Sequence, residues 1–149
     1  MGRRIVPEPI FLTDEQFAYL NEKYPSSGAK ASNHTTGDRA AYIARLFLED
    51  LYPGCTFVPQ APGADLAIRD PYINVEDQMD FEVKGTSGNS VAIPNIVASS
   101  KDSGNLLEIE GVPILRITGV FQKVPGVAVL VHGEDFVLKH EYRKRAKAL

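Results

Sequence analysis

Cysteine and long apolar runs are scarce in this sequence, and their scarcity excludes several classes of protein. Cys55 is the single cysteine among 149 residues, so the chain can form no internal disulfide and no cysteine-based zinc site. No apolar run approaches the roughly 18 residues of a membrane-spanning helix, and the first residues lack the apolar stretch of a signal peptide. There is no Ser-His-Asp arrangement, P-loop or dinucleotide-binding fingerprint. We therefore expect a cytoplasmic protein with no membrane partner.

The sequence also lacks an overall excess of basic residues. Its formal net charge is −3, which argues against avid, sequence-independent binding of nucleic acid, because such binding depends on neutralising phosphates. The charge is unevenly placed, since residues 139–149 carry about +4 and the rest of the chain about −7. The basic residues of this tail are Lys139, Arg143, Lys144, Arg145 and Lys147. Such a tail is either a solvated helix end or a patch that contacts phosphate.

The pattern of apolar residues predicts one domain, residues 1–149, in which helices and strands alternate. After an irregular lead-in over 1–12, the predicted helices are about 13–24, 37–51 (with Thr36 as its N-cap), 95–110 and 134–147. The predicted strands are about 55–59, 65–69, 79–84, 112–117 and 126–131. Short connections favour antiparallel pairing of the first three strands, whereas a later strand follows a crossover long enough to run parallel. We expect an α/β fold with a central mixed β-sheet flanked by helices.

The helix over 95–110 is the least regular of these predictions. Ser103-Gly104 lies in its middle, and glycine weakens a helix interior. As a helix it would direct the following side chains inward: Ile96, Val97, Ser100, Leu107 and Ile109.

The stretch 80–85 (DFEVKG) alternates as a strand does. Phe81 and Val83 point one way, while Glu82 and Lys84 point the other, together with Asp80. An acidic residue lies seventeen positions before Glu82, at Asp65, in a second strand-like run. If the two strands form a hairpin, Asp65 lies beside Glu82 and Lys84. Two carboxylates and a lysine at one point are the groups needed to hold a hard divalent cation and orient a water. Alternatively, Glu82 and Lys84 form an exposed surface pair worth under about 1 kcal/mol.

These residues resemble the motif of the PD-(D/E)xK nuclease superfamily, which has the restriction-endonuclease-like fold. The matching segments are Pro62-Gly63-Ala64-Asp65 and Asp80-Phe81-Glu82-Val83-Lys84-Gly85, and the order of elements over about 36–118 is that of the family core. The resemblance implies hydrolysis of DNA phosphodiester bonds by an endonuclease of restriction type or of DNA repair and recombination. It implies Mg²⁺ as cofactor, with Mn²⁺ as an alternative. Cutting both strands of a duplex with one small active site implies a homodimer.

The resemblance also implies a role for each residue of the motif. Asp65 and Glu82 would bind the metal together with the carbonyl of Val83, and Lys84 would position the attacking water or stabilise charge on the phosphate. Family members often add an acidic residue from the first core helix, but Ala41 stands at that position here. Asp38 is the nearest substitute as a metal ligand, and a second metal would depend on it.

Residues outside the motif supply candidate contacts to nucleic acid. They are Ser87 in the loop after Lys84, Lys101, and the tail residues Arg143, Lys144 and Arg145. Asp80 is either a solvated residue or a peripheral metal ligand. Two other interpretations of the chain remain open: a catalytically silent module of the same fold that binds nucleic acid or assembles with partners, and an unrelated α/β protein.

Overall fold

The computed structural model describes residues 6–25, 33–72, 78–91, 95–96 and 100–138. Within them the chain is a mixed α/β structure, as predicted. The helices are α1 (Asp14–Lys23), α2 (Asn33–Leu51) and α3 (Lys101–Glu108). The strands are β1 (Glu8–Pro9), β2 (Thr56–Phe57), β3 (Leu66–Arg69), β4 (Met79–Gly85), β5 (Asn95–Ile96), β6 (Ile114–Thr118), β7 (Gly126–Leu130) and β8 (Val137–Leu138).

Six of these strands form one mixed sheet in the order β1-β7-β6-β4-β3-β2. β2, β3 and β4 form an antiparallel meander, and β4 pairs with β6 in parallel. The pairing follows from the connections, because β4 and β6 are joined by a long crossover that contains α3. Both the antiparallel pairing and the parallel pairing are as predicted.

Helix α2 covers one face of this sheet. Its apolar stripe packs against Phe81 of β4 and Ile68 of β3 in the larger core cluster. The helix approaches the end of β4 so closely that a Cβ at Gly85 would lie 2.5 Å from the Cβ of Ala40. Only glycine fits at this position without movement of the helix, so β4 ends directly beneath the first turns of α2.

A buried arginine fixes α2 against the rest of the molecule. Arg39 is fully buried, and its Nε donates to the carbonyl of Val120 at 2.7 Å. Its Nη1 donates to the carbonyl of Tyr24 at 3.0 Å. Arg39 therefore connects α1, α2 and the turn between β6 and β7.

The opposite face of the sheet carries a second, smaller core. Leu107 of α3 and Phe136 before β8 pack there with the apolar side chains of β6 and β7, which are Ile114, Ala128 and Leu130. Alternation along β4 puts Glu82 and Lys84 on this second face, because Phe81 and Val83 pack against the α2 side. The charged side of β4 is therefore the side that α3 covers.

The predicted helix over 95–110 is wrong in its first part. Residues 95–96 form β5, and α3 begins only at Lys101. Ser100 has an extended backbone (φ −159°) and its hydroxyl accepts the N–H of Ser103, which is the geometry of an N-cap. Leu107 is fully buried as predicted, but Ile109 is 74% exposed and Ser100 is also exposed. The predicted orientations of Ile96 and Val97 lie outside the described side chains.

Several boundaries also differ from prediction. The predicted helix over 134–147 is wrong at its start, because Val137 and Leu138 form β8, parallel to β5. β1 pairs with β7 within the lead-in that was predicted to be irregular. Helix α2 begins at Asn33, so Thr36 lies inside it and is not the N-cap. The strand predicted over 55–59 is confined to two residues.

Candidate functional site

The β3–β4 hairpin brings Asp65 to Glu82. Leu66 pairs with Phe81 and Ala67 with Asp80, so the register places Asp65 next to Glu82 where β3 begins. The amide of Asp65 donates to the carbonyl of Phe81 at 2.9 Å, which extends the pairing to this residue. The hairpin expected from the sequence is therefore present.

The side chain of Asp65 is held against the backbone of β4. Its Oδ2 accepts the N–H of Val83 at 2.8 Å. Because the N–H and C=O of one strand residue point to the same side, the carbonyl of Val83 also faces the space beside Asp65. The carboxylate is exposed, so this space opens to solvent.

Glu82 differs sharply from Asp65 in its surroundings. It is only 3% exposed, and the hydroxyl of Ser103 on α3 donates to its Oε2 at 2.8 Å. The pKa of Glu82 is raised from its usual 4.5 to about 7, chiefly by burial and in smaller part by the nearby charge of Asp65. The Ser103 hydrogen bond and the charge of Lys84 lower the pKa and offset part of this effect. Glu82 is thus a carboxyl group that can gain or lose a proton near neutral pH.

Ser103 is a residue that the sequence interpretation missed as part of this site. It is placed by Gly63, whose φ is +92° and where a Cβ would lie 2.6 Å from the amide nitrogen of Ser103. The turn before β3 therefore lies directly on the first turn of α3. No pattern in the sequence indicated that Gly63 and the start of α3 meet.

A second missed residue is Arg116 on β6. The parallel register pairs Lys84 with Arg116, so the two cations are neighbours on the face that α3 covers. The Nε of Arg116 is buried and has no hydrogen-bond partner in the described part of the chain, and burial lowers the pKa of the guanidinium. The ion pairs found among the described residues, Lys123–Asp14 and His132–Glu108, involve neither Lys84 nor Arg116.

Asp38 is not brought to this site. A Cβ at Gly85 would meet the Cβ of Ala40 and the carbonyl of Thr36 on α2. Two residues along a helix correspond to a rotation of about 200°, so Asp38 lies on the far side of α2, where it is exposed. The structure therefore gives no support to Asp38 as the substitute for the missing helix carboxylate.

The remaining candidates lie around the site or beyond it. Asp80 is held in the structure, since its Oδ1 accepts the N–H of Ala61 at 2.9 Å and the side-chain amide of Gln78 at 3.2 Å. It is half-buried, and the structure does not decide between a solvated residue and a peripheral metal ligand. Ser87 is exposed in the loop after β4, and Lys101 is exposed at the start of α3. The tail residues Arg143, Lys144 and Arg145 lie outside the described residues.

The donor atoms at the hairpin fit a Mg²⁺ ion. Hydrogen bonds among the described residues occupy Oδ2 of Asp65 and Oε2 of Glu82, which leaves Oδ1 and Oε1 as ligand atoms. The part of the chain that the structure describes contains no group of three or more His, Cys, Asp or Glu side chains placed to hold a metal. Magnesium sites in enzymes that act on phosphates commonly use one or two carboxylates together with waters and substrate oxygens. Two carboxylates and the Val83 carbonyl are ligands of the types found in that kind of site.

Comparisons with protein-family models, with curated proteins and with solved structures found no match for this chain. Among the described helices, none combines the length and the apolar character needed to cross a membrane.

Proposed function

We propose that this chain is a Mg²⁺-dependent endonuclease that hydrolyses DNA phosphodiester bonds, on a fold of the restriction-endonuclease-like type. The observation that carries the proposal is the adjacency of Asp65 and Glu82, with the pKa of buried Glu82 raised to about 7 and Lys84 on the same strand face. A carboxyl group perturbed by burial and by a second carboxylate is typical of functional sites. An exposed surface pair gives no reason for Glu82 to be buried.

The arrangement of elements supports the same proposal. Helix α2 precedes the β2–β3–β4 meander, and the crossover containing α3 leads to β6, which is parallel to β4. This is the order of elements that the PD-(D/E)xK resemblance implies. In this arrangement the acidic residue precedes the second strand of the meander and Glu-x-Lys lies in the third, as in Asp65, Glu82 and Lys84.

The proposed roles follow from the atoms that are available. Asp65 Oδ1, Glu82 Oε1 and the Val83 carbonyl would hold Mg²⁺, with Mn²⁺ as a substitute. The chemistry supplied by the bound cation is Lewis acidity, which offsets charge on the scissile phosphate and lowers the pKa of water. Ser103 orients Glu82 through Oε2. The ammonium group of Lys84 would orient the attacking water or stabilise the negative charge that develops on the phosphate.

The raised pKa of Glu82 couples metal binding to pH. A carboxyl group must lose its proton before it can bind a cation. Because the pKa of Glu82 is about 7, the proposed site binds Mg²⁺ more weakly at pH 6 than at pH 8. Cleavage should therefore increase with pH over this range.

The decisive experiment measures cleavage of supercoiled plasmid and of branched DNA with Mg²⁺ or with EDTA. Lys84→Ala and Asp65→Asn should abolish metal-dependent cleavage. Lys23→Ala and Asp50→Asn are matched controls, because they make the same changes at exposed positions on α1 and α2 and should leave cleavage unchanged. Metal-independent cleavage, or full activity in both site variants, would contradict the proposal.

A catalytically silent module on the same fold is the second candidate, and one observation favours it. The first core helix contributes no carboxylate, since Ala41 stands at the expected position and Asp38 faces away. This interpretation predicts that DNA or a protein partner binds to wild-type protein without being cleaved under any metal condition. The endonuclease proposal further implies a homodimer in the cytoplasm, and sedimentation of the protein with and without duplex DNA tests the dimer.

A further inference from the structure

Arg116 is a half-buried charged residue whose Nε is buried and has no hydrogen-bond partner among the described residues. It lies in the middle of β6, directly beside Lys84 in the parallel pair of strands. Paired residues on adjacent strands are about 5 Å apart, so two positive charges are held next to each other. In the absence of an anion they repel each other.

Among the residues that the structure describes, no ion pair compensates the charge of Arg116. Its neighbours on the same face of β6 and β7 are Ile114 and Ala128, which belong to the smaller apolar core. The nearest acidic side chain along β4 is Glu82, two residues from Lys84, which is about 7 Å along a strand. A guanidinium Nε that is buried without an acceptor is unfavourable unless a ligand supplies one.

We propose that Arg116 and Lys84 together bind the phosphate group of the substrate, and that Arg116 is a substrate-binding residue of this site. The identity of the substrate as DNA rests on the proposed function, whereas the anion site rests on the two cations alone. A planar guanidinium can donate two parallel hydrogen bonds to phosphate oxygens, and Lys84 adds a point charge. Glu82 lies two residues before Lys84 on β4, and Asp65 lies opposite Glu82 at the start of β3, so a phosphate on this pair would lie near the proposed metal ligands.

The test compares wild type with Arg116→Met, Arg116→Lys and a control, Arg69→Met. Arg69 is exposed on β3, about 13 Å along that strand from Asp65, so the control removes the same charge from the same sheet. The first measurement is the affinity for a 30-base-pair duplex by fluorescence anisotropy in EDTA, from 50 to 200 mM salt. The second is the melting temperature in inorganic phosphate against chloride of equal ionic strength.

We expect Arg116→Met to weaken duplex binding about eightfold at 0.1 M salt and to reduce the slope of log K against log salt by about 0.9, the effect of one phosphate contact. Arg116→Lys should keep most of the slope, and Arg69→Met should behave as wild type. Phosphate should raise the melting temperature of wild type but not of Arg116→Met. In chloride, Arg116→Met should melt at or above wild type, because the unpartnered Nε is removed; a structural arginine would lower it.

The phosphate measurement separates this inference from the proposed function. If wild type does not cleave or bind DNA but phosphate stabilises it through Arg116, the endonuclease proposal fails and the anion site stands. If phosphate stabilises wild type and Arg116→Met equally, or if both bind duplex with the same salt slope, the inference about Arg116 is wrong even where cleavage occurs.

Discussion

Glu82→Gln provides the sharpest test of the site, because it removes a titration that the structure places near neutral pH. The pKa of Glu82 is raised from 4.5 to about 7, so the folded protein holds this proton more tightly than the unfolded chain. The stabilisation is fully present below about pH 4.5 and is lost as the pH rises through about 7. This difference in pKa corresponds to about 3 kcal/mol in the free energy of unfolding.

Glutamine keeps the shape of the side chain but cannot ionise. Its amide oxygen can still accept the hydroxyl of Ser103, which now donates to Glu82 at 2.8 Å. We therefore expect the stability of Glu82→Gln relative to wild type to rise by up to about 3 kcal/mol between pH 5 and pH 8. Urea unfolding of both proteins in EDTA at pH 5, 6, 7 and 8 measures this difference.

The control is Glu22→Gln, an exposed carboxylate near the end of α1, for which the difference from wild type should stay flat with pH. A flat difference for Glu82→Gln as well would refute the reasoning, because the carboxyl would then titrate at its ordinary pKa. Added Mg²⁺ extends the test. At pH 8 it should stabilise wild type, since a ligand that binds only the folded state raises stability, and it should stabilise Glu82→Gln much less.

Three further predictions concern the surroundings of the site and the fold. Ser103→Ala removes a hydrogen bond that lowers the pKa of Glu82. In the same urea series, the loss of stability with rising pH should therefore extend to a higher pH in this variant than in wild type. Gly85→Ala places a Cβ 2.5 Å from that of Ala40 and should destabilise the protein by about 1–3 kcal/mol, measured by urea unfolding; an unchanged midpoint would show that α2 can move away freely. Thr13→Ala removes the N-cap of α1, whose hydroxyl accepts an N–H at 3.0 Å. It should cost about 1 kcal/mol, seen as a lower melting temperature.

The hairpin at the site could be predicted because its signals are local. The alternation over 80–85 fixes which side chains share a face, and the acidic residue before β3 falls at the matching register. The amphipathic stripe of α2 likewise requires only the helical period. These features depend on residues that are near one another in the sequence or that repeat at a fixed spacing.

The rest of the site depends on contacts that no local pattern encodes. Lys84 and Arg116 meet because the crossover through α3 sets one parallel register among several that the lengths allow. Ser103 reaches Glu82 because α3 begins at Lys101, and that start depends on the Ser100 cap and on close packing under Gly63. The spacing of apolar residues over 95–110 fits one continuous helix, and only the small residues Ser103 and Gly104 argue against it. The two-residue strands β5 and β8 are too short for any periodic signal.

The separation of charges on the α3 face is what distinguishes this site from an ordinary structural cluster. Burial raises the pKa of Glu82 and lowers that of Arg116, so each group is destabilised in its charged form. A structural arrangement would relieve both by pairing them, yet the ion pairs found among the described residues leave them apart. Lys84 and Arg116 instead lie about 7 Å further along their strands than Glu82. A cation held by the carboxylates and a phosphate held by the two basic side chains would compensate both sets of charges at once, which neither surface decoration nor core packing requires.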